Sequence, residues 1–230
     1  RRHTRYWRDW SSDVCSSDLQ TATNSSLRMS RSLPSAGRVR IIGGHWKKSV
    51  LHFPQRTDLR PTPERVRETL FNWLGQRMDG LRCLDAFAGS GALGFEAASR
   101  GALAVVALET DRVALTALQE NAQRLQATQI QVVAADALRW LANANERFDV
   151  VFLDPPFRQN VLSDVLALLP RVLNPGARVH VEASAPMAVQ TPWHELRHAR
   201  AGQVHHQLLE FKHDRGSLSG DRSEEHTSEL

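Results

Sequence analysis

Between residues 81 and 181, short apolar runs alternate with longer stretches of helical periodicity, and this alternation constrains the fold more than any other feature. The runs at 83–87, 104–108, 130–134, 150–153 and 178–181 read as strands, and the stretches at 92–99, 112–125, 137–142 and 162–169 as helices. Strands separated by helices of this length cannot form hairpins, so they pair in parallel through right-handed crossovers. The expected fold class is α/β: a Rossmann-like, mostly parallel, doubly wound sheet. Residues 196–199 and 203–211 break the alternation. They read as two strands turning near Gly202, which would give the sheet an antiparallel edge strand.

In such a sheet, chemistry collects where the strands end. The first strand runs into Leu84-Asp85-Ala86-Phe87-Ala88-Gly89-Ser90-Gly91, a loop whose glycines let a ligand approach the backbone closely. Taken alone this loop is a weak signal, because pyrophosphate binders and plain tight turns share it. Glu109 ends the next strand, where a carboxylate suits both hydroxyls of a ribose, and Asp136 follows the third, facing an adenine amine. Asp85, Glu109 and Asp136 together would repel a phosphate. S-adenosylmethionine, which offers a ribose, an adenine amine and an ammonium group, fits them. The cofactor-binding candidates are Asp85, Phe87, Gly89, Ser90, Gly91, Glu109, Asp136 and Ala137.

The fourth strand ends in Asp154-Pro155-Pro156-Phe157, the candidate catalytic set. Two prolines remove two backbone donors and leave carbonyls unpaired within the fold. An amine brought to that corner would donate one hydrogen to the Asp154 carboxylate and another to the Pro155 carbonyl, and Phe157 would stack on the ring bearing it. The chemistry expected is methyl transfer to an exocyclic amino group. No metal is expected.

Residues 29–80 form a basic extension. Arg38-Val39-Arg40-Ile41 alternates and meets Gly43-Gly44, which reads as a β-ribbon with its turn at the glycines. A helix is expected after it, with Thr62 as N-cap, Pro63 at the first helical position and Val66, Leu70, Trp73 and Leu74 as its buried stripe. The domain expectation is a non-native leader at 1–28, the extension at 29–80, a methyltransferase domain at 81–213 and a polar tail at 214–230. The ends carry an unusual signature. Asp-Val-Cys-Ser-Ser-Asp-Leu near the start and Arg-Ser-Glu-Glu-His-Thr-Ser near the finish are encoded by opposite strands of one short DNA, GACGTGTGCTCTTCCGATCT. Both are expected to be translated adapter remnants around a reading frame beginning near Met29.

Composition narrows the setting. The chain has 230 residues, with 29 Lys and Arg against 25 Asp and Glu, a net charge of +4 that only slightly favours a polyanion. No apolar run approaches the roughly 20 residues that span a bilayer. Two cysteines, Cys15 and Cys83, make neither a disulfide framework nor an all-cysteine zinc site, which points to a cytoplasmic setting.

Over residues 38–211 the chain resembles the RsmD family of bacterial small-subunit rRNA guanine-N2 methyltransferases. The resemblance lies in Arg40-Ile41-Ile42-Gly43-Gly44, Leu59-Arg60-Pro61-Thr62, Arg65-Val66-Arg67-Glu68-Thr69-Leu70-Phe71-Asn72-Trp73-Leu74, the loop at 85–94 and Asp154-Pro155-Pro156-Phe157. It implies a class I S-adenosylmethionine-dependent fold and methylation of one 16S rRNA guanine at N2, within a small-subunit particle. It adds weight to Arg38, Arg40, Lys47, Lys48, Arg60, Arg65 and Arg67 as phosphate contacts. The enzyme is expected to be a monomer without metal or membrane attachment. Methylation of adenine N6 or another amine, and a non-catalytic RNA-binding assembly factor, remain the alternatives.

Overall fold

A computed structural model describes residues 36–55, 61–156 and 161–212. Arg60, Phe157, the expected leader at 1–28 and the expected tail at 214–230 lie outside the described residues. The elements run β1 (Ala36–Arg40), β2 (Val50–Pro54), α1 (Glu64–Leu74), β3 (Arg82–Asp85), α2 (Ala92–Ser99), β4 (Ala104–Glu109), α3 (Arg112–Arg124), β5 (Ile130–Ala134), α4 (Ala137–Asn143), β6 (Phe148–Leu153), α5 (Leu162–Leu168), β7 (Leu173–Ala183), β8 (Trp193–Ala201) and β9 (Val204–Phe211).

The central sheet has the order β5-β4-β3-β6-β7-β9-β8. The five strands from β3 to β7 are parallel, as their helical crossovers require. The antiparallel strand is β9, which pairs with β7 on one side and with the edge strand β8 on the other. Cys83, Leu84, Val105, Val106, Val150 and Val151 are all buried, because helices cover both faces. One layer holds α1, α2 and α3 against Cys83, Val105, Val150 and Phe152. The opposite layer holds α4 and α5 against Leu84, Val106, Val151 and Val179.

From β3 the chain winds outward to β4 and β5; at β6 it returns to the other side of β3 and winds the opposite way. Two parallel neighbours whose connections leave in opposite directions open a crevice beyond their carboxyl ends. The glycine loop follows β3 and Asp154 follows β6, so this reversal brings the two together.

The extension is a ribbon plus α1. Strands β1 and β2 pair antiparallel with Arg40 opposite Val50 and Val39 opposite Leu51. Val39, Leu51 and Phe53 are buried, while Arg38, Arg40 and His52 face outward. In α1 the buried stripe is Val66, Arg67, Leu70 and Phe71, with Trp73 and Leu74 only partly buried. Thr62 is not the N-cap: the helix begins at Glu64, Pro63 holds the capping position, and no side chain caps it. The Thr62 carbonyl instead accepts from Arg67 Nε at 3.2 Å, and its hydroxyl is directed to Asp154.

Candidate active site

The loop after β3 is shaped by backbone conformations that a side chain would oppose. Gly89 and Gly91 have φ of 49° and 78°, and a Cβ on Gly91 would lie 2.6 Å from Leu118 and 2.7 Å from Phe95. The loop is stitched to its neighbours by Ala86 N–H to the Phe152 carbonyl at 3.1 Å and Ala88 N–H to the Leu108 carbonyl at 2.9 Å. Asp85 is buried beneath it, and its Oδ2 accepts from Gly94 N–H at 2.9 Å. Burial pushes this carboxyl up to about 7, a rise that the Gly94 bond opposes and the charges of Asp154 and Glu109 reinforce. Asp85 therefore braces the loop from below. Phe87 and Gly89 are partly exposed, and Ser90 is buried with its Oγ accepting from Ala92 N–H at 3.3 Å.

Glu109 stands at the carboxyl end of β4, clamped by three backbone donors. Its Oε2 accepts from Gly89 N–H at 2.9 Å, and its Oε1 from Thr110 and Asp111 N–H at 2.7 and 2.8 Å. Three of the four lone-pair sites of the carboxylate are thereby taken, and the one left on Oε2 can receive a ligand hydroxyl. Asp136, exposed after β5, caps α4 by accepting from Arg139 N–H at 3.0 Å, and Ala137 beside it is buried. The three acids thus end adjacent strands β3, β4 and β5.

Asp154 follows β6 directly and is half-buried, and its Oδ2 receives the Thr62 hydroxyl at 3.4 Å. Removal from water raises its carboxyl to about 6, against the lowering effect of that hydroxyl. Pro155 is buried and Pro156 exposed. A cleft of about 770 Å³ opens beside Pro155, with Leu162 and Leu166 of α5, Glu182, Met187 and Trp193 on its walls. Its size is that of a small-molecule site.

Two residues change the expected site. Arg67 is 2% exposed, and its guanidinium donates to Glu96 Oε2 at 3.2 Å and to the Arg40 carbonyl at 2.9 Å. A side chain so enclosed cannot reach a phosphate, and Arg67 leaves the RNA-binding set. Arg38, Arg40, Lys47, Lys48 and Arg65 are exposed. The residue that sequence reasoning misses is Glu182, 3% exposed near the carboxyl end of β7. Burial, the charge of Asp154 and then that of Asp85 hold its carboxyl well above the usual range, opposed by the Thr62 hydroxyl. Its signal is nonetheless present: Glu182 is a fifth acid at the end of a parallel strand, in the run Val179-His180-Val181-Glu182.

A family described as "Conserved hypothetical protein 95" matches residues 39–210. The chain is 41% identical over 180 residues to ribosomal RNA small subunit methyltransferase D of Escherichia coli strain K12, covering 76% of this chain and 91% of that protein. The protein of the same name from Haemophilus influenzae is 41% identical over 182 residues, covering 76% and 94%. Among solved structures, the putative methyltransferase yhhF from Escherichia coli superposes with a TM-score of 0.70 at 40% identity, covering 76% of this chain and 99% of that one.

Proposed function

The chain belongs to this family, and from the geometry of its site we propose that it transfers a methyl group from S-adenosylmethionine to the N2 amine of a guanine in 16S rRNA. The observation that carries the reading is Asp154. It lies beyond β6, at the point where the strand order reverses, beside the glycine loop and with the Thr62 hydroxyl on its Oδ2. The acid at every neighbouring strand end suits a cofactor with a ribose, an adenine amine and two positive centres, and opposes a phosphate-bearing one. When bound, S-adenosylmethionine supplies an electrophilic methyl group on a sulfonium.

In this reading Glu109 receives a ribose hydroxyl on its remaining Oε2 lone pair, Asp136 and Ala137 border the adenine, and Phe87, Gly89, Ser90 and Gly91 line the path between, with Asp85 below. Asp154 accepts one N–H of the target amine and the Pro155 carbonyl the other, which turns the nitrogen lone pair toward the methyl group. As the N–C bond forms, the sulfonium S–CH3 bond would break with its electron pair leaving on the now neutral thioether, and the positive charge passed to nitrogen would be stabilised by the adjacent carboxylate. The amine sheds its proton during or after transfer, so no strong base must act first. Phe157 stacks on the base. Arg38, Arg40, Lys47, Lys48, Arg60 and Arg65 contact phosphates. A duplex would keep guanine N2 from a buried donor, so the target is looped or turned out of its stack, within a small-subunit particle. The enzyme works as a monomer in the cytoplasm.

The test is incubation with labelled S-adenosylmethionine and undermodified small-subunit particles, followed by mass-spectrometric mapping of the methylated nucleoside. The product is N2-methylguanosine. Asp154→Ala keeps the cofactor affinity measured by calorimetry and slows transfer by about 100-fold or more, the scale on which a single transition-state hydrogen bond acts. Near-normal turnover in that variant would mean that the Asp154 carboxylate does not hold the reacting amine.

A further inference from the structure

Among the described residues, the buried side-chain atoms without a hydrogen-bond partner are both ring nitrogens of His180, Nδ1 of His206 and Oε1 of Glu182. They share one place. His180 and Glu182 lie two apart on β7, and His206 stands opposite Glu182 on β9, so all three side chains emerge on the face that α1 covers. Burial keeps His180 neutral by lowering its pKa to about 3. An orphaned buried carboxylate oxygen is costly unless something arrives to donate to it.

The position of Glu182 identifies that donor. Phe152 pairs with His180 and Leu153 with Val181 across β6 and β7, which sets Asp154 beside Glu182 at the next step. The Thr62 hydroxyl donates to Asp154, and Glu182 and Pro155 both line the cleft. Asp154 and the Pro155 carbonyl take up the two hydrogens of an amine, but any exocyclic amine has those. Guanine carries a further donor, N1–H, next to its amine; adenine and cytosine present a ring-nitrogen lone pair in that place. The unpaired Oε1 of Glu182 there can accept from guanine N1–H, whereas it would meet the ring-nitrogen lone pair of the other two.

Resting on the functional reading above, we propose that Glu182 is the specificity-determining residue of this corner, its free Oε1 accepting the N1–H of the target guanine while Asp154 holds the N2 amine. The generic amine-gripping motif becomes a guanine reader through a residue on the neighbouring strand. Base entry supplies the missing donor, and only a base with hydrogens on both nitrogens satisfies both carboxylates.

The experiment compares two 16S RNAs assembled by ligation into particles. They are identical except for guanine or 2-aminopurine at the methylated position. 2-Aminopurine keeps the amine but has a lone pair at N1. The wild-type enzyme favours guanine by roughly a hundredfold or more in kcat/KM, as expected where a buried acceptor loses its donor. Glu182→Gln, whose amide can turn either its oxygen or its NH2 to the base, brings the two substrates to within about tenfold, with cofactor affinity unchanged. Glu182→Asp, a carboxylate one methylene shorter, loses rate and keeps the guanine preference. Equal treatment of the two RNAs by the wild type, or a wild-type preference in Glu182→Gln, overturns the assignment. Failure of the wild type to methylate the guanine RNA would instead sink the functional reading itself.

Discussion

Glu96 has no exposed surface and accepts four hydrogen bonds: from Ile42 and Gly43 N–H at 2.8 Å each, from Arg67 Nη1 at 3.2 Å and from Arg100 Nε at 2.8 Å. One carboxylate thus joins α2, α1 and the loop of the ribbon. Removing Arg67 strips one of two cations from a fully enclosed anion. Arg67→Met is expected to destabilise the fold by about 3 kcal/mol, the lower end for a broken buried pair because Arg100 remains. Urea denaturation measures it, and a loss below about 1 kcal/mol would show the pair to be dispensable. Helical arithmetic contains the warning. Arg67 stands four residues before Phe71 and three before Leu70, inside the apolar stripe and not across from it. Weighing its charge above its phase makes it look like a phosphate contact. Thr62 misleads for a related reason, since a threonine before a proline-led helix is a good cap on local grounds, and only β6 supplies the competing partner.

At the scale of elements, the fold is legible in the sequence wherever period and punctuation agree. Helix α2 and strand β5 begin and end where their patterns do, and β8 and β9 turn at Gly202 with φ of 63°. Strand β7 is longer than its pattern, because Leu173-Asn174-Pro175-Gly176 carries turn residues yet continues the strand. What local pattern cannot convey is docking. The ribbon loop lies against the end of α2: His45 N–H donates to the Ser99 carbonyl at 2.6 Å, Trp46 N–H to Ser99 Oγ at 2.9 Å, and Ser99 Oγ to the Gly43 carbonyl at 2.6 Å. Strand β2 is held to α3 by a reciprocal pair, His52 N–H to Asn121 Oδ1 at 3.1 Å and Asn121 Nδ2 to the His52 carbonyl at 2.7 Å. Gly44 is the hinge of this contact. Its φ is 75°, and a Cβ would lie 1.8 Å from the Ser99 carbonyl oxygen, which is backbone and cannot step aside. Gly44→Ala should therefore lift the loop off α2. Amide hydrogen exchange is the check: Ile42, Gly43, His45 and Trp46 lose protection while β3 and β6 keep theirs. Unchanged protection at those four amides would mean that the loop tolerates a side chain there.

Over the whole molecule a charge of +4 is too small to attract RNA as a uniform field, so arrangement must do what magnitude does not. Arg38 and Arg40 project from β1, Lys47 and Lys48 from the ribbon loop, and Arg65 from the first turn of α1, all exposed. Arg65 stands three residues after Thr62, whose hydroxyl reaches Asp154, so one exposed cation and the proposed reacting corner are close in the chain. A nucleic acid held by its phosphates on the extension would be led toward the site, provided the ribbon and α1 are fixed to the sheet, which is where Glu96, Ser99 and Asn121 act. This division of labour has a measurable consequence. Each neutralised phosphate contributes about 0.7 to 0.9 to the slope of log K against log salt. Reversing Arg38 and Arg65 together should reduce that slope for RNA binding by about 1.5, and leave S-adenosylmethionine affinity alone. Arg67→Met, at a salt and temperature where it stays folded, should keep the wild-type slope, because its guanidinium never meets solvent. A titration in which the double reversal leaves the slope untouched would mean that this face is solvated and that RNA approaches from another side.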